Sequence, residues 1–350
     1  MGIGLRKKIL IGVACVAVIA LAVVVALIRI PSLYVAFMQH TGMVTGKVNS
    51  FEPKGSTEAQ EMNGVKLLPN IQYGDAYPNS FLDIYLCDPQ GEESHPTIFY
   101  LHGGGLAWGD KMEGDPTGVK PNPADMSYLQ RLCSAGYNVI SANYALAPKY
   151  RYPIPLWQVD QAIRFLLENG DTYGLDMTHI VFAGGSAGAQ LSGLYIDVQI
   201  NADYARQMGM EQVLVNGEIV GVVLNCPLLD PHGCLTMKTG EFWTDLMYED
   251  LGKVNFRSDE AIMQEANVLL HMNEGWPTTY LTDGNTATFV DQSMQLKETL
   301  DAYGVYCEFN YYKEPELWHG YDGDMTSEYA QDNLAKTLVF LENLKDAMGE

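Results

Sequence analysis

One stretch constrains this chain more than any other: Ile180-Val181-Phe182-Ala183-Gly184-Gly185-Ser186-Ala187-Gly188-Ala189-Gln190. A short β-branched and aromatic run enters the pattern Gly-x-Ser-x-Gly at Gly184, Ser186 and Gly188, and Ala187 to Tyr195 then reads as helix. A strand that passes into a helix over so few residues turns sharply. The serine at the apex takes a strained backbone, and flanking side chains larger than hydrogen would collide there. The hydroxyl is held out above the carboxyl end of the strand, where a nucleophile belongs. Glycine and serine also make ordinary turns, so the pattern needs independent support.

That support lies upstream. Thr97 to Leu101 reads as a strand and runs directly into His102-Gly103-Gly104-Gly105. Successive glycines let backbone N–H groups turn toward one point, as an oxyanion hole requires. The N–H groups of Gly103, Gly104 and Ala187 are the candidates. Together with Asn143-Tyr144-Ala145-Leu146-Ala147-Pro148 and the helix beginning Asp160-Gln161-Ala162, these stretches resemble the hormone-sensitive-lipase-type branch of the α/β-hydrolase fold, a family of carboxylesterases. The resemblance covers roughly residues 71 to 345. It departs from the family at Gly185, where Asp is common, and at Ala189, where Gly is common.

Before that region the chain has a different character. Arg6, Lys7 and Lys8 precede Ile9–Ile28, a run without a charged side chain that is long enough, at about 1.5 Å per residue, for a bilayer core of about 30 Å. It reads as an uncleaved transmembrane signal-anchor, with secretion after signal cleavage as the alternative. The positive-inside rule places the basic tip in the cytoplasm and the remainder outside it. Residues 31 to 70 read as a linker or flap, although Ser32 to Gln39 can continue a helix. Residues 31 to 350 carry 17 basic against 43 acidic side chains. Such a surface repels nucleic acid.

Six cysteines show neither Cys-x-x-Cys spacing nor paired histidines, so no metal site is expected. Cys226 and Cys234 are near enough in sequence to bridge a loop in an oxidising compartment. No Gly-Lys-Ser/Thr step follows either glycine cluster, which argues against a phosphate-cradling loop. No cofactor is implied.

From residue 71 strands alternate with helical patterns at Phe81–Leu86, Thr97–Leu101, Ser127–Ala135, Asn138–Ala142, Leu156–Glu168, Ile219–Cys226, Thr278–Leu281 and Tyr306–Tyr312. This predicts a mostly parallel, doubly wound sheet. Residues 232 to 275 break the alternation with Phe242, Trp243, Met247, Tyr248, Met263 and Trp276, and read as a cap over the sheet.

The resemblance places the remaining triad members in the chain order Ser, acid, His. His319-Gly320-Tyr321 follows the last apolar strand and supplies the histidine; His102 reads instead as a brace for backbone. The acid is Asp283 at the end of Thr278–Leu281, with Asp230 and Asp291 as alternatives. The position where the family places its acid is Ala287 here. These residues predict a serine hydrolase that cleaves small to medium acyl esters, acylated saccharides among them, through an acyl-enzyme on Ser186. An amidase or peptidase with the same triad and a non-catalytic binding module are the competing readings. Oligomeric state is not legible.

Overall fold

In the computed structural model, residues 3–41, 49–91, 94–111, 128–236 and 260–349 are described. The backbone begins with helix α1, Ile3–Arg29, and α2, Pro31–Thr41. Among the described residues no helix is long and apolar enough to cross a membrane. The expected membrane span over Ile9–Ile28 is therefore not shown by the fold, although the backbone there is continuously helical. Side chains along it such as Val16, Ile19 and Leu21 are exposed.

A nine-stranded sheet follows, in the order β1-β2-β3-β5-β4-β6-β7-β8-β9. Its strands are β1 (Gln60–Met62), β2 (Val65–Gln72), β3 (Phe81–Leu86), β4 (Pro96–Leu101), β5 (Asn138–Ala142), β6 (Asp176–Gly185), β7 (Ile219–Asn225), β8 (Thr278–Asp283) and β9 (Cys307–Tyr311). Strands β1 to β3 join antiparallel, and from β5 to β9 every pairing is parallel. The sheet takes in Gln60–Gln72, all but the last two of these residues lying in the stretch 31 to 70 whose sequence reads as linker or flap.

The central strands are apolar on both sides because both faces are covered. In β6, Ile180 and Phe182 enter one core while Val181 and Ala183 enter the other. Helices α4 (Ile154–Tyr173), α5 (Ala187–Ile200) and α10 (Val290–Tyr303) supply Leu156, Leu194 and Leu296 to the first core. Helices α3 (Tyr128–Cys133) and α11 (Glu328–Met348) supply Leu129 and Phe340 to the second. Each such side chain contributes roughly 1.5–3 kcal/mol on burial, so packing from two sides fixes the register of the strands that carry the site.

Short helices α6 (Ala202–Gln207), α7 (His232–Thr236), α8 (Glu260–Glu265) and α9 (Val268–His271) lie between β6 and β8. Much of the expected cap, including Phe242, Trp243, Met247 and Tyr248, lies outside the described residues. Met263 and Trp276 are buried in the first core and do not line the cavity around Ser186. Cys226 and Cys234 are both free thiols, so no bridge joins them.

Candidate active site

Strand β6 ends at Gly185 and α5 begins at Ala187, leaving Ser186 alone at the turn with φ 53° and ψ −116°. Neighbouring chain dictates the two outer glycines. A Cβ on Gly184 would lie 2.5 Å from the carbonyl carbon of Gly188, and one on Gly188 would lie 2.6 Å from the carbonyl oxygen of His102. Gly185 has only an ordinary contact, 3.9 Å from the carbonyl oxygen of Asn225. The strain at Ser186 is held by its N–H donating to Asn225 O at 2.8 Å and its carbonyl accepting from Gln190 N at 3.1 Å.

The glycine loop leaves β4 at His102. The His102 ring stacks on Tyr144 at 4.3 Å between centroids, and the Tyr144 hydroxyl donates to the His102 carbonyl at 2.7 Å. His102 thus braces the loop, as its sequence position suggests. Further along, Ala147 N donates to Leu106 O, and Lys111 Nζ pairs with Asp83 Oδ1 at 2.5 Å, both side chains deeply buried. Burial pushes the Asp83 carboxyl up, against the pull of Lys111. With its two ends fixed, the loop presents Gly103 and Gly104 to the same cavity as Ser186 and Ala187. Among the described residues, no acceptor within the protein takes the N–H of Gly103, Gly104 or Ala187.

His319, in the loop after β9, places Nε2 2.9 Å from Ser186 Oγ. Phe289 meets its ring edge-on at 5.4 Å. Burial pulls the imidazole pKa down to about 4, which keeps the ring neutral and able to accept a proton at neutral pH. Asp283, at the end of β8, is fully buried and burial raises its pKa to about 6, opposed by hydrogen bonds from Thr288 and Ser293.

Of the three candidate acids, Asp283 has a carboxylate oxygen within 4.8 Å of a ring nitrogen of His319. Asp230 is engaged by His232 Nδ1 at 2.7 Å, and Asp291 is exposed in the first turn of α10. Ala287, the family's position for the acid, has a positive φ of 49°.

Several residues that hold this arrangement carry no recognisable motif. Asn285 donates to the carbonyls of Tyr312 and Pro315 and accepts from Leu317 N, clamping the acid loop to the histidine loop. Gly284 is required beside it, since a Cβ there would meet the Trp318 carbonyl oxygen at 2.8 Å. Cys226 Sγ accepts from Gly320 N and donates to Asp322 Oδ1. Asp322 lines the cavity with its carboxyl raised by burial. The Asp-Gly of residues 283 and 284 looks like a simple turn in sequence, and only the close approach of the second loop shows otherwise.

Donor atoms of Cys226, Asp283 and His319 lie within 4.8 Å of one another, a spacing that a metal ion can use. All three are already committed to hydrogen bonds within the site. The cavity encloses about 430 Å³ and is bounded by Trp108, Leu228, Cys234 and Phe289 around the serine and histidine. A half-buried hydroxyl against a neutral imidazole, next to converging free N–H groups, is equipped for acyl transfer.

Both the sequence and the fold have known counterparts. The chain is 27% identical over 249 residues to an acetyl esterase of Salmonella paratyphi A, spanning 68% of this chain and 69% of the relative. Esterase B of Lactobacillus rhamnosis superposes with a TM-score of 0.67 at 21% identity, covering 83% of this chain and 91% of that one. A bacterial heroin esterase gives 0.62 at 18% identity, covering 81% and 86%. These structural likenesses concern the fold. The BD-FAE family profile matches residues 82–300, well over half of the chain, and the chain is accordingly an α/β-hydrolase of the BD-FAE family.

Proposed function

We propose that this chain, a carboxylesterase-type hydrolase, cleaves small to medium acyl esters through an acyl-enzyme on Ser186. The observation that carries the reading is the 2.9 Å approach of His319 Nε2 to Ser186 Oγ at the sharp turn. In the first half-reaction Ser186 Oγ bonds to the ester carbonyl carbon while its proton passes to His319 Nε2. The tetrahedral oxygen takes the negative charge and is met by the N–H groups of Gly103, Gly104 and Ala187. Collapse breaks the bond to the alkoxy oxygen, which leaves with the proton from His319. Water repeats the sequence in reverse roles and frees the acid.

The acetyl esterase relatives support the short end of the acyl range, and a cavity of about 430 Å³ has room for a short acyl chain with its alcohol. The test is hydrolysis of p-nitrophenyl esters from acetate to octanoate, with Ser186→Ala and fluorophosphonate labelling in parallel. Turnover and labelling that vanish in Ser186→Ala, with preference for short acyl groups, are expected. A folded wild-type protein that neither turns over nor labels overturns the reading.

We further propose that α1 anchors the chain, with the hydrolase on the extracytoplasmic side. Its 27 residues span about 40 Å as helix, the run Ile9–Ile28 lacks charge, and Arg6, Lys7 and Lys8 mark the cytoplasmic end. The full chain then fractionates with membranes and residues 31–350 do not. Protease access to the hydrolase from the cytoplasmic side only would reverse the orientation.

A further inference from the structure

His319 has Ser186 on one ring nitrogen, and on the other it has a hydroxyl where a carboxylate is expected. Thr288 Oγ1 stands 3.2 Å from Nδ1, and the same hydroxyl donates to Asp283 Oδ1. The other oxygen of Asp283 accepts from Ser293 Oγ at 2.8 Å. Among the described residues no direct hydrogen bond joins Asp283 to His319, though their nearest donor atoms are within 4.8 Å. The low pKa of the imidazole has burial as its cause, with no opposing pull from the acid.

We propose that Thr288 is a positioning residue that transmits the Asp283 carboxylate to His319, so that the base is oriented through the bridge Ser186–His319–Thr288–Asp283. This deepens the esterase reading and rests on it for its kinetic consequences.

Proton counting fixes the direction of the bridge. An ionised carboxylate only accepts, and a threonine hydroxyl has one proton and two lone pairs. Once that proton is directed at Asp283, the oxygen offers Nδ1 only a lone pair. Nδ1 must then carry the ring proton, which leaves the Nε2 lone pair facing Ser186. When Nε2 takes the serine proton the ring becomes a cation, and its Nδ1–H bond to Thr288 strengthens because the hydroxyl is polarised by the carboxylate behind it. No proton leaves Thr288 or reaches Asp283. Ala287, with its positive φ, turns the chain so that Thr288 and Phe289 both reach the imidazole.

The test combines kinetics with a direct view of the ring proton. Thr288→Val keeps the shape and removes the hydroxyl. It is expected to lower kcat about 100-fold or more at nearly constant KM, since a wrongly oriented base is worth up to about 10⁴ in the serine-protease template. Thr288→Ser restores the hydroxyl and is expected to stay within about threefold of wild type. Asp283→Asn should lower kcat strongly in wild type and hardly further in Thr288→Val, because the acid acts through the hydroxyl. In wild type the rate should fall as pH drops through about 6, where Asp283 takes up a proton, and that limb should be absent in Thr288→Val.

Nitrogen-15 NMR of the histidines should show His319 protonated at Nδ1 in wild type and in Thr288→Ser. A wild-type ring protonated at Nε2, or Asp283→Asn carrying the same penalty in both backgrounds, overturns the bridge. A wild type with Nδ1–H in place but without esterase turnover or Ser186 labelling defeats the esterase reading and leaves the bridge standing. Should Thr288→Val fail to fold, the NMR signal and the Thr288→Ser rate still decide.

Discussion

Replacing Gly188 by alanine tests whether the turn and the glycine loop form one unit. The added Cβ would lie 2.6 Å from the His102 carbonyl oxygen and closer still to that of Leu101, whereas ordinary contact begins at 3.4 Å. Both obstacles are main chain at the end of β4, so α5 and β4 must separate by roughly 1 Å. Gly103 and Gly104 follow β4, and Ala187 opens α5, so the gap opens between the two sources of oxyanion N–H groups. A hydrogen bond of about 2.9 Å lengthened by 1 Å is no longer one. Losing the donors on one side should lower kcat by about 10²–10³, while overpacking costs about 1–3 kcal/mol of stability. Gly185→Ala is the internal control: its Cβ meets nothing nearer than 3.9 Å, and it should keep kcat within about threefold. The assay is p-nitrophenyl acetate hydrolysis with thermal melting of both variants. A folded Gly188→Ala with wild-type kcat would refute the coupling between turn and loop.

Other consequences can be checked on the same material. Asp283 has a folded pKa near 6 against 3.8 unfolded, so the native state binds the extra proton and stability is lost as pH rises through 6. Asp283→Asn should therefore melt higher at pH 8 by at most about 3 kcal/mol, with no gain below pH 4, while losing activity. Asp197 is fully buried on α5 with neither carboxyl oxygen hydrogen-bonded, and burial raises its pKa well above 3.8. Asp197→Asn should stabilise the protein increasingly as pH rises, and a pH-independent effect in melting curves would contradict that. Lys111→Met strands the Asp83 charge and should cost about 3–5 kcal/mol. Adding Asp83→Leu should recover much of it, and denaturant unfolding of the single and double variants measures both.

The central sheet is readable because its strands are buried on both faces. Runs such as Ile180–Phe182 and Ile219–Leu224 are apolar without interruption, and nothing in a polar chain imitates them. The first part of strand β2, before Ile71, escapes notice for the opposite reason: Lys66, Pro69 and Asn70 interrupt it, and its register slips between Leu68 and Ile71. The serine and histidine are legible because each sits beside glycines that the backbone geometry demands. Asn285 and Thr288 are not, since a loop asparagine and a loop threonine look alike whether they face water or clamp two loops together. The acid falls between these cases. Asp283 ends a recognisable strand, but what brings it near the histidine is a contact between loops more than thirty residues apart in sequence.

Six of the sixteen described residues that bound the cavity are glycine, namely Gly103, Gly104, Gly105, Gly185, Gly320 and Gly323. Where the container is main chain, substitution has no side chain to trim or exchange, and enlarging it at Gly104 drives a Cβ into Trp108. Adaptation to a new ester is funnelled onto lining side chains such as Leu228 and Cys234, which supply exchangeable bulk. A library randomised at Leu228 and Cys234, with Phe289 kept against His319, should shift selectivity while leaving turnover machinery intact, whereas one spread evenly around the cavity would spend most of its members on inactive protein.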